Sequence, residues 1–328
     1  VLYAAIAGNL LVALTKFLAA GWTGSSVMWS EAVHSVVDTG NSLLLLYGLH
    51  RAKSRPDPEH PFGYGREIYF WSFVVAVLIF AFGAGVSFYE GFSHIRHPEP
   101  ISDVAINYWV IGVSALLDGT TWWIAVRAFK AKLRWSEVLE AIRRSKDPPS
   151  FMVVFEDSAA LLGLAIAALG IHLSVLYDLP QIDGIASLAI GALLAVTAML
   201  LARETKGLLI GEAADPPIIG SILRIAAEMD GVTHANGILT VHLGPEQIVA
   251  ALSLEFADPL TTPDIELKVV ELEQRLRRAH PAVVAVFVKP QSTAGYAASM
   301  ARRYGPAEDL GASRGATEVV AEPSPRLE

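Results

Sequence analysis

Ser30-Glu31-Ala32-Val33-His34-Ser35-Val36-Val37-Asp38 lies inside one apolar segment of this chain, and Phe155-Glu156-Asp157-Ser158 lies inside another. Around them the composition is 53% hydrophobic and 18% charged over 328 residues, with a mean hydropathy of +0.44. That is too apolar and too poor in charge for an ordinary soluble domain, so these segments read as membrane spans. An ionisable group inside such a span is costly unless it is paired, hydrated or used. A cluster of them therefore predicts an intramembrane metal-ion site.

Hydropathy predicts six spans, near residues 3–22, 26–49, 70–93, 105–128, 151–176 and 182–202, each of the length a bilayer core demands. Lys and Arg gather after the second span (Arg51, Lys53, Arg55, Arg66) and after the fourth (Arg127, Lys130, Lys132, Arg134, Arg143, Arg144, Lys146). The remaining connections carry at most Arg96. By the positive-inside rule the two basic loops and both termini are expected in the cytoplasm. Trp135, Val138, Leu139 and Ile142 recur at helical spacing in the second basic loop, which predicts a short interfacial helix there.

Beyond Arg203 the pattern changes. A helix over 217–229, strands over 238–243 and 248–256, a charged amphipathic helix over 263–280 and a strand over 283–289 predict a small cytoplasmic α+β domain of order α-β-β-α-β. The expected organisation is a six-helix transmembrane domain over 1–203, the α+β domain over 204–291, and a disordered tail over 292–328, where Gly, Ala, Ser and Pro dominate. An open sheet edge or free face of such a domain is a common dimerisation surface. The apolar start at Val1 carries no initiator Met, and a few further residues are expected ahead of it.

Cysteine is absent, which leaves imidazole, carboxylate and water as metal ligands. The formal net charge of -8 argues against nucleic acid as a partner. Glu31, His34, Asp38 and Asn41 fall in one sector of a helix at about 100° per residue. His34 and Asp38, four apart, can coordinate one divalent ion, and Asp157 on the fifth span offers a further oxygen. Zn²⁺ accepts such nitrogen and oxygen donors. Of the remaining intramembrane charges, Lys16 is expected to pair with Asp118 or Glu156.

In Ser30 to Asn41, in His60-Pro61-Phe62-Gly63-Tyr64-Gly65-Arg66-Glu67 and in Phe155-Glu156-Asp157-Ser158-Ala159-Ala160, the chain resembles the cation diffusion facilitator family of divalent-metal/proton antiporters, and within it the subgroup with Glu-Asp-Ser/Thr-Ala-Ala in the fifth span. The likeness extends from Gly8 to about Gln291. It implies six spans followed by a metallochaperone-like domain, a homodimer, and export of a divalent cation in exchange for protons, with no prosthetic group and no enzymatic activity. It also implies His34, Asp38 and Asp157 as transport-site ligands. The family's fourth position, four residues before Asp157, is Val153 here; Glu31, Asn41, Ser158 or a water then completes the shell. Asp57 and His60 match a weaker surface metal site that some members carry. His234, His242 and His280 miss the family's cytoplasmic zinc positions, so no strong metal cluster is expected in the α+β domain.

Zinc is the expected cargo, with Mn²⁺, Fe²⁺, Co²⁺ and Cd²⁺ as alternatives, and a bacterial inner membrane is the expected location. Two rival readings are a non-transporting, metal-blind scaffold, favoured by Val153, and a membrane metallohydrolase, for which the chain offers no nucleophile with a base and no His-Glu-x-x-His spacing.

Overall fold

The computed structural model describes residues 2–101, 103–130 and 145–305. The chain divides into two compact units, Val1–Ile210 and Gly211–Glu328. In the first unit α1 covers Leu2–Thr23, α2 Ser26–Ala52, α3 Glu67–Arg96, α4 Val104–Lys130, α5 Pro148–Tyr177 and α6 Gln181–Ile210. The predicted interfacial helix lies outside the described residues.

The last four of these helices are each long and apolar enough to cross a membrane, and they identify an integral membrane protein. Helix α2 falls short of that apolarity because it carries the polar stripe on which the site is built. Exposed Leu10, Leu14, Leu18, Phe80, Phe82, Leu116, Ile124 and Leu162 present an apolar surface to hydrocarbon. Between the helices, burial gains little because lipid is as apolar as leucine, so close contact does the work. A Cβ on Gly91 of α3 would stand 2.7 Å from the Gly184 carbonyl oxygen of α6, and one on Gly184 would stand 2.8 Å from that of Gly91. On the other side of α6, a Cβ on Gly170 of α5 would meet that of Ala186 at 2.4 Å. Helices α3, α5 and α6 are thereby locked backbone to backbone near one end of the bundle.

Midway along α3, Ile79–Ala84 widens into a π-helical turn. It packs against α2 and α6 and marks a departure from regular helix at mid-membrane depth.

The locked block holds α2 through one carboxylate. Asp183, fully buried in the first turn of α6, accepts from Ser25 Oγ (2.9 Å), Ser26 N (2.6 Å), Ser26 Oγ (2.9 Å) and Val27 N (3.3 Å). These are the orphan donors of the α2 N-terminus, where a negative charge is also favoured by the helix dipole. His94 of α3 brings Nε2 to 3.9 Å from the same carboxylate.

In the second unit α7 (Pro216–Ala227) and α8 (Thr262–Ala279) pack on a three-stranded sheet of β1 (Val232–Gly244), β2 (Gln247–Phe256) and β3 (Val283–Pro290). The order is β1-β2-β3, the first pair antiparallel and the second parallel. Buried Ile222, Leu252, Leu254, Leu272, Leu276 and Val283 form its core, each contributing roughly 1.5–3 kcal/mol. Thr261 and Asp264 close a reciprocal capping box at the start of α8.

Three features differ from expectation. Helix α6 runs on to Ile210, past the Arg203-Glu204-Thr205-Lys206 break, because charged side chains end an apolar run without ending a helix. Strand β1 begins at Val232, six residues earlier than the alternation predicts, since register shifts around His234 and Gly237 break the period of two. The segment predicted as disordered holds α9 (Thr293–Tyr304). Ser292 caps it, Thr293 binds Glu255 and Asn236, and Tyr296 lies over Gly237, where a Cβ would stand 2.0 Å from its hydroxyl. These tertiary bonds override a composition that favours disorder, and residues 306–328 lie outside the described part.

Asp183→Ala leaves four buried donors without an acceptor and is expected to lower the stability of the membrane domain by about 3 kcal/mol or more. Thermal unfolding in detergent measures it; an unchanged midpoint would contradict the anchoring role of this carboxylate.

Candidate metal centre

Helix α2 presents its polar side chains inward. Ser26, Ser30, Glu31, His34 and Asn41 are all buried, and Asp38 is half-buried. His34 Nε2 stands 3.4 Å from Asp38 Oδ2, the i,i+4 pairing that the spacing predicts. Neither ring nitrogen of His34 makes a hydrogen bond, and Asp38 Oδ1, Asn41 Oδ1 and Asp157 Oδ2 are likewise buried without partners. Buried polar atoms are nearly always satisfied, and each unsatisfied one is costly. Several together, rich in lone pairs and on facing helices, suit a cation.

Glu31 is spent otherwise. Its Oε2 accepts from Lys16 Nζ of α1 at 3.2 Å, in a pair with 1% and 0% side-chain exposure, and Lys16 also donates to Ser35 Oγ at 2.9 Å. This corrects the expected pairing of Lys16 with Asp118 or Glu156. Helices α1 and α2 form a hairpin through the short Gly24-Ser25 turn, where Gly24 takes φ +72°, so residues 16 and 31 face one another at equal depth. Glu31 Oε1 lies against α5 at Gly163, where a Cβ would stand only 2.6 Å away. Ligation by Glu31 would break an ion pair sealed from water, which sets it apart from His34 and Asp38.

Asn41 donates through Nδ2 to Glu156 Oε1 at 3.3 Å, tying α2 to α5. Asp157, next in the chain, is half-buried and close enough to Asp38 for their charges to act on each other. Val153 is 36% exposed, so the position four residues before Asp157 supplies no donor and partly faces out of the bundle. Ser158 is occupied by the Trp122 indole, 2.9 Å away, and by the Val154 carbonyl. Among the described residues no three His, Asp or Glu side chains are gathered tightly enough to form a finished cage. The arrangement is a His34–Asp38 pair on α2 with further carboxylates around it on neighbouring helices.

The Asp57–His60 loop pair is knitted into its own loop. Asp57 Oδ1 accepts from the amides of Glu59 (3.0 Å) and His60 (2.7 Å) and stands 3.3 Å from His60 Nδ1, while Oδ2 accepts from the Tyr64 hydroxyl at 2.5 Å. These bonds use the lone pairs a surface metal would need. The Tyr64 hydroxyl first, then the His60 amide, hold the Asp57 carboxyl below its ordinary value of 3.8, and the same bond pushes the Tyr64 hydroxyl above its ordinary 10.0. In the second unit the three histidines have separate surroundings: His234 meets Glu255, His280 meets Ser221, and His242 meets the Gly244 carbonyl.

The family model described as the cation efflux transmembrane domain matches residues 2–210. The chain belongs to the cation efflux family. Among its relatives is the Xenopus laevis protein named proton-coupled zinc antiporter SLC30A9, mitochondrial, 31% identical over 283 residues, which is 84% of this chain and 50% of the relative. Arabidopsis thaliana metal tolerance protein C4 is 36% identical over 219 residues, 66% of this chain and 48% of the relative. The Yersinia enterocolitica protein named cation-efflux pump FieF is 25% identical over 273 residues, 83% of this chain and 85% of the relative. The chain thus spans about half the length of the first two.

The α2 stripe is where sequence and structure agree most closely. Asp183 and His94 were missed: an Asp in the first turn of a helix is ordinary by itself, and only the fold shows it capping a different helix.

For the loop, the sign follows from the lowered carboxyl. Asp57 contributes order above pH 3.8, and that contribution is lost as pH falls through its lowered value. Amide exchange at Glu59 and His60 is expected to be slow at neutral pH, to accelerate at strongly acidic pH, and to be fast throughout in Asp57→Ala. Equal protection in the variant would contradict the knot.

Proposed function

We propose that this chain exports a divalent metal cation, with zinc as the first candidate, from the cytoplasm in exchange for protons. The observation that carries the reading is the His34 imidazole: buried to 2% exposure, 3.4 Å from Asp38, and with no hydrogen-bond partner for either ring nitrogen. A permanent structural histidine would have its ring fixed by a donor or acceptor; one that takes a cation needs a free lone pair. The names of the relatives, zinc antiporter and cation-efflux pump, support the same direction.

The coupling follows from charge. Without the dication, His34 and the carboxylates around it hold protons, because unpaired charge is costly at this depth. A dication binds through deprotonated nitrogen and oxygen, so loading the site releases protons and protonation releases the ion. Movement of α2 against the locked α3, α5 and α6 block would carry the pair between the two faces, in the manner of secondary transporters. Both basic loops then face the cytoplasm, and two copies assemble as a homodimer. The membrane is read as a bacterial inner membrane, in line with bacterial relatives named cation-efflux pump FieF.

The absence of a finished three-ligand cage among the described residues favours a second reading, a metal-blind scaffold of the same family. Proteoliposomes with an imposed pH gradient separate the two. Wild type is expected to release protons when zinc is added, and His34→Ala or Asp38→Ala is expected to abolish that release while remaining folded. Unchanged exchange in both variants would refute the site, and a wild type without metal-driven proton release would establish the scaffold.

A further inference from the structure

Asp118 of α4 is a half-buried acid in the middle of an apolar helix, close enough to Lys16 for their charges to act on each other but without a direct ion pair. Lys16, its expected partner, is bound to Glu31 and Ser35. Among the described residues the Asp118 carboxylate makes no hydrogen bond or ion pair. Such a group is costly at mid-membrane unless it serves a function.

Its position points to one. Asn107, Ile111 and Ser114 of α4 are buried, and Asp118 continues their spacing of four, three and four residues, so it lies on the stripe that faces the bundle. The Thr23 hydroxyl bonds Asn107 Oδ1 at 2.9 Å, which brings α4 level with the end of the α1–α2 hairpin. From that level Asp118 lies about 16 Å along α4, while His34 and Asp38 lie about 13 and 20 Å along α2 from Ser25. On the other flank, Trp122 binds Ser158, and a Cβ on Gly119 would lie 3.9 Å from Leu161, so Asp118 lies about one and a half turns from Asp157 along the paired helices. The charge of Asp118 acts on Lys16, and on His34, Asp38 and Asp157 as well.

We infer that Asp118 supplies the fourth protein ligand of the ion site, from α4, in place of the donor that Val153 does not provide. The His34 ring, buried and without a hydrogen bond on either nitrogen, is the independent sign of a ligand at this spot. The inference rests on the reading of His34 and Asp38 as the ion-binding pair. It recruits α4: among the described residues the side chains are not gathered into a cage before the ion arrives, and loading would draw one imidazole and three carboxylates from α2, α4 and α5 onto it. Such a shell suits a borderline dication.

The test uses the full chain in detergent and two readouts: Zn²⁺ affinity by calorimetry and the visible d–d absorption of bound Co²⁺, which reports the ligand set. Asp118→Asn is expected to weaken Zn²⁺ binding by about tenfold or more and to change the Co²⁺ spectrum, with Asp118→Glu restoring part of both. Its thermal midpoint is expected to equal or exceed wild type, because the half-buried carboxylate has no direct hydrogen-bond or ion-pair partner to lose. A lowered midpoint would show a structural partner and overturn the inference, as would unchanged binding, or weaker binding with an unchanged spectrum. His34→Ala is the control: if it loses binding while Asp118→Asn retains it, only the Asp118 inference falls. If His34→Ala binds like wild type, the underlying site falls instead.

Discussion

A charge enclosed by hydrocarbon must be paired, capped or used, and the membrane unit accounts for its buried charges in those three ways. Lys16 and Glu31 pair across the α1–α2 hairpin. Asp183 is capped by the amides and hydroxyls at the start of α2. Glu156 is held by Asn41. What is left over on α2, α4 and α5 is His34, Asp38, Asp118 and Asp157. The site is defined by subtraction as much as by motif: its groups are the ones that none of these three anchoring contacts uses.

Helix α2 links this accounting to motion. Its N-terminus hangs on Asp183 of the block formed by α3, α5 and α6, and that block is held by backbone contacts at Gly91, Gly184 and Gly170 that no larger residue would permit. Its middle carries the His34–Asp38 pair, and it packs beside the π-helical turn of α3. A helix fixed at one end and polar in the middle is suited to present one pair of ligands in more than one orientation.

Much of this was legible in the sequence, for physical reasons that can be named. Hydropathy located the six helices because a bilayer core dictates both length and apolarity. The stripe from Glu31 to Asn41 was readable because a helix repeats every 3.6 residues. Pairings across helices were not readable. Lys16 was expected to meet Asp118 or Glu156, and only the geometry of the two-residue turn places it against Glu31. The role of Asp183 was hidden because its donors lie more than 150 residues away. The α9 helix was hidden because a Gly, Ala and Ser composition carries no periodicity, while its anchors at Glu255, Asn236 and Gly237 lie on other strands.

The central claim is that a dication is held by one imidazole and several carboxylates drawn from separate membrane helices. X-ray absorption spectroscopy at the zinc edge, on the purified full chain loaded with a single equivalent of Zn²⁺, reads that shell directly. The account predicts a single imidazole nitrogen and otherwise oxygen neighbours at about 2.0–2.2 Å. Two or more imidazoles in the shell, or a purely hydrated ion, would place the metal elsewhere and contradict it.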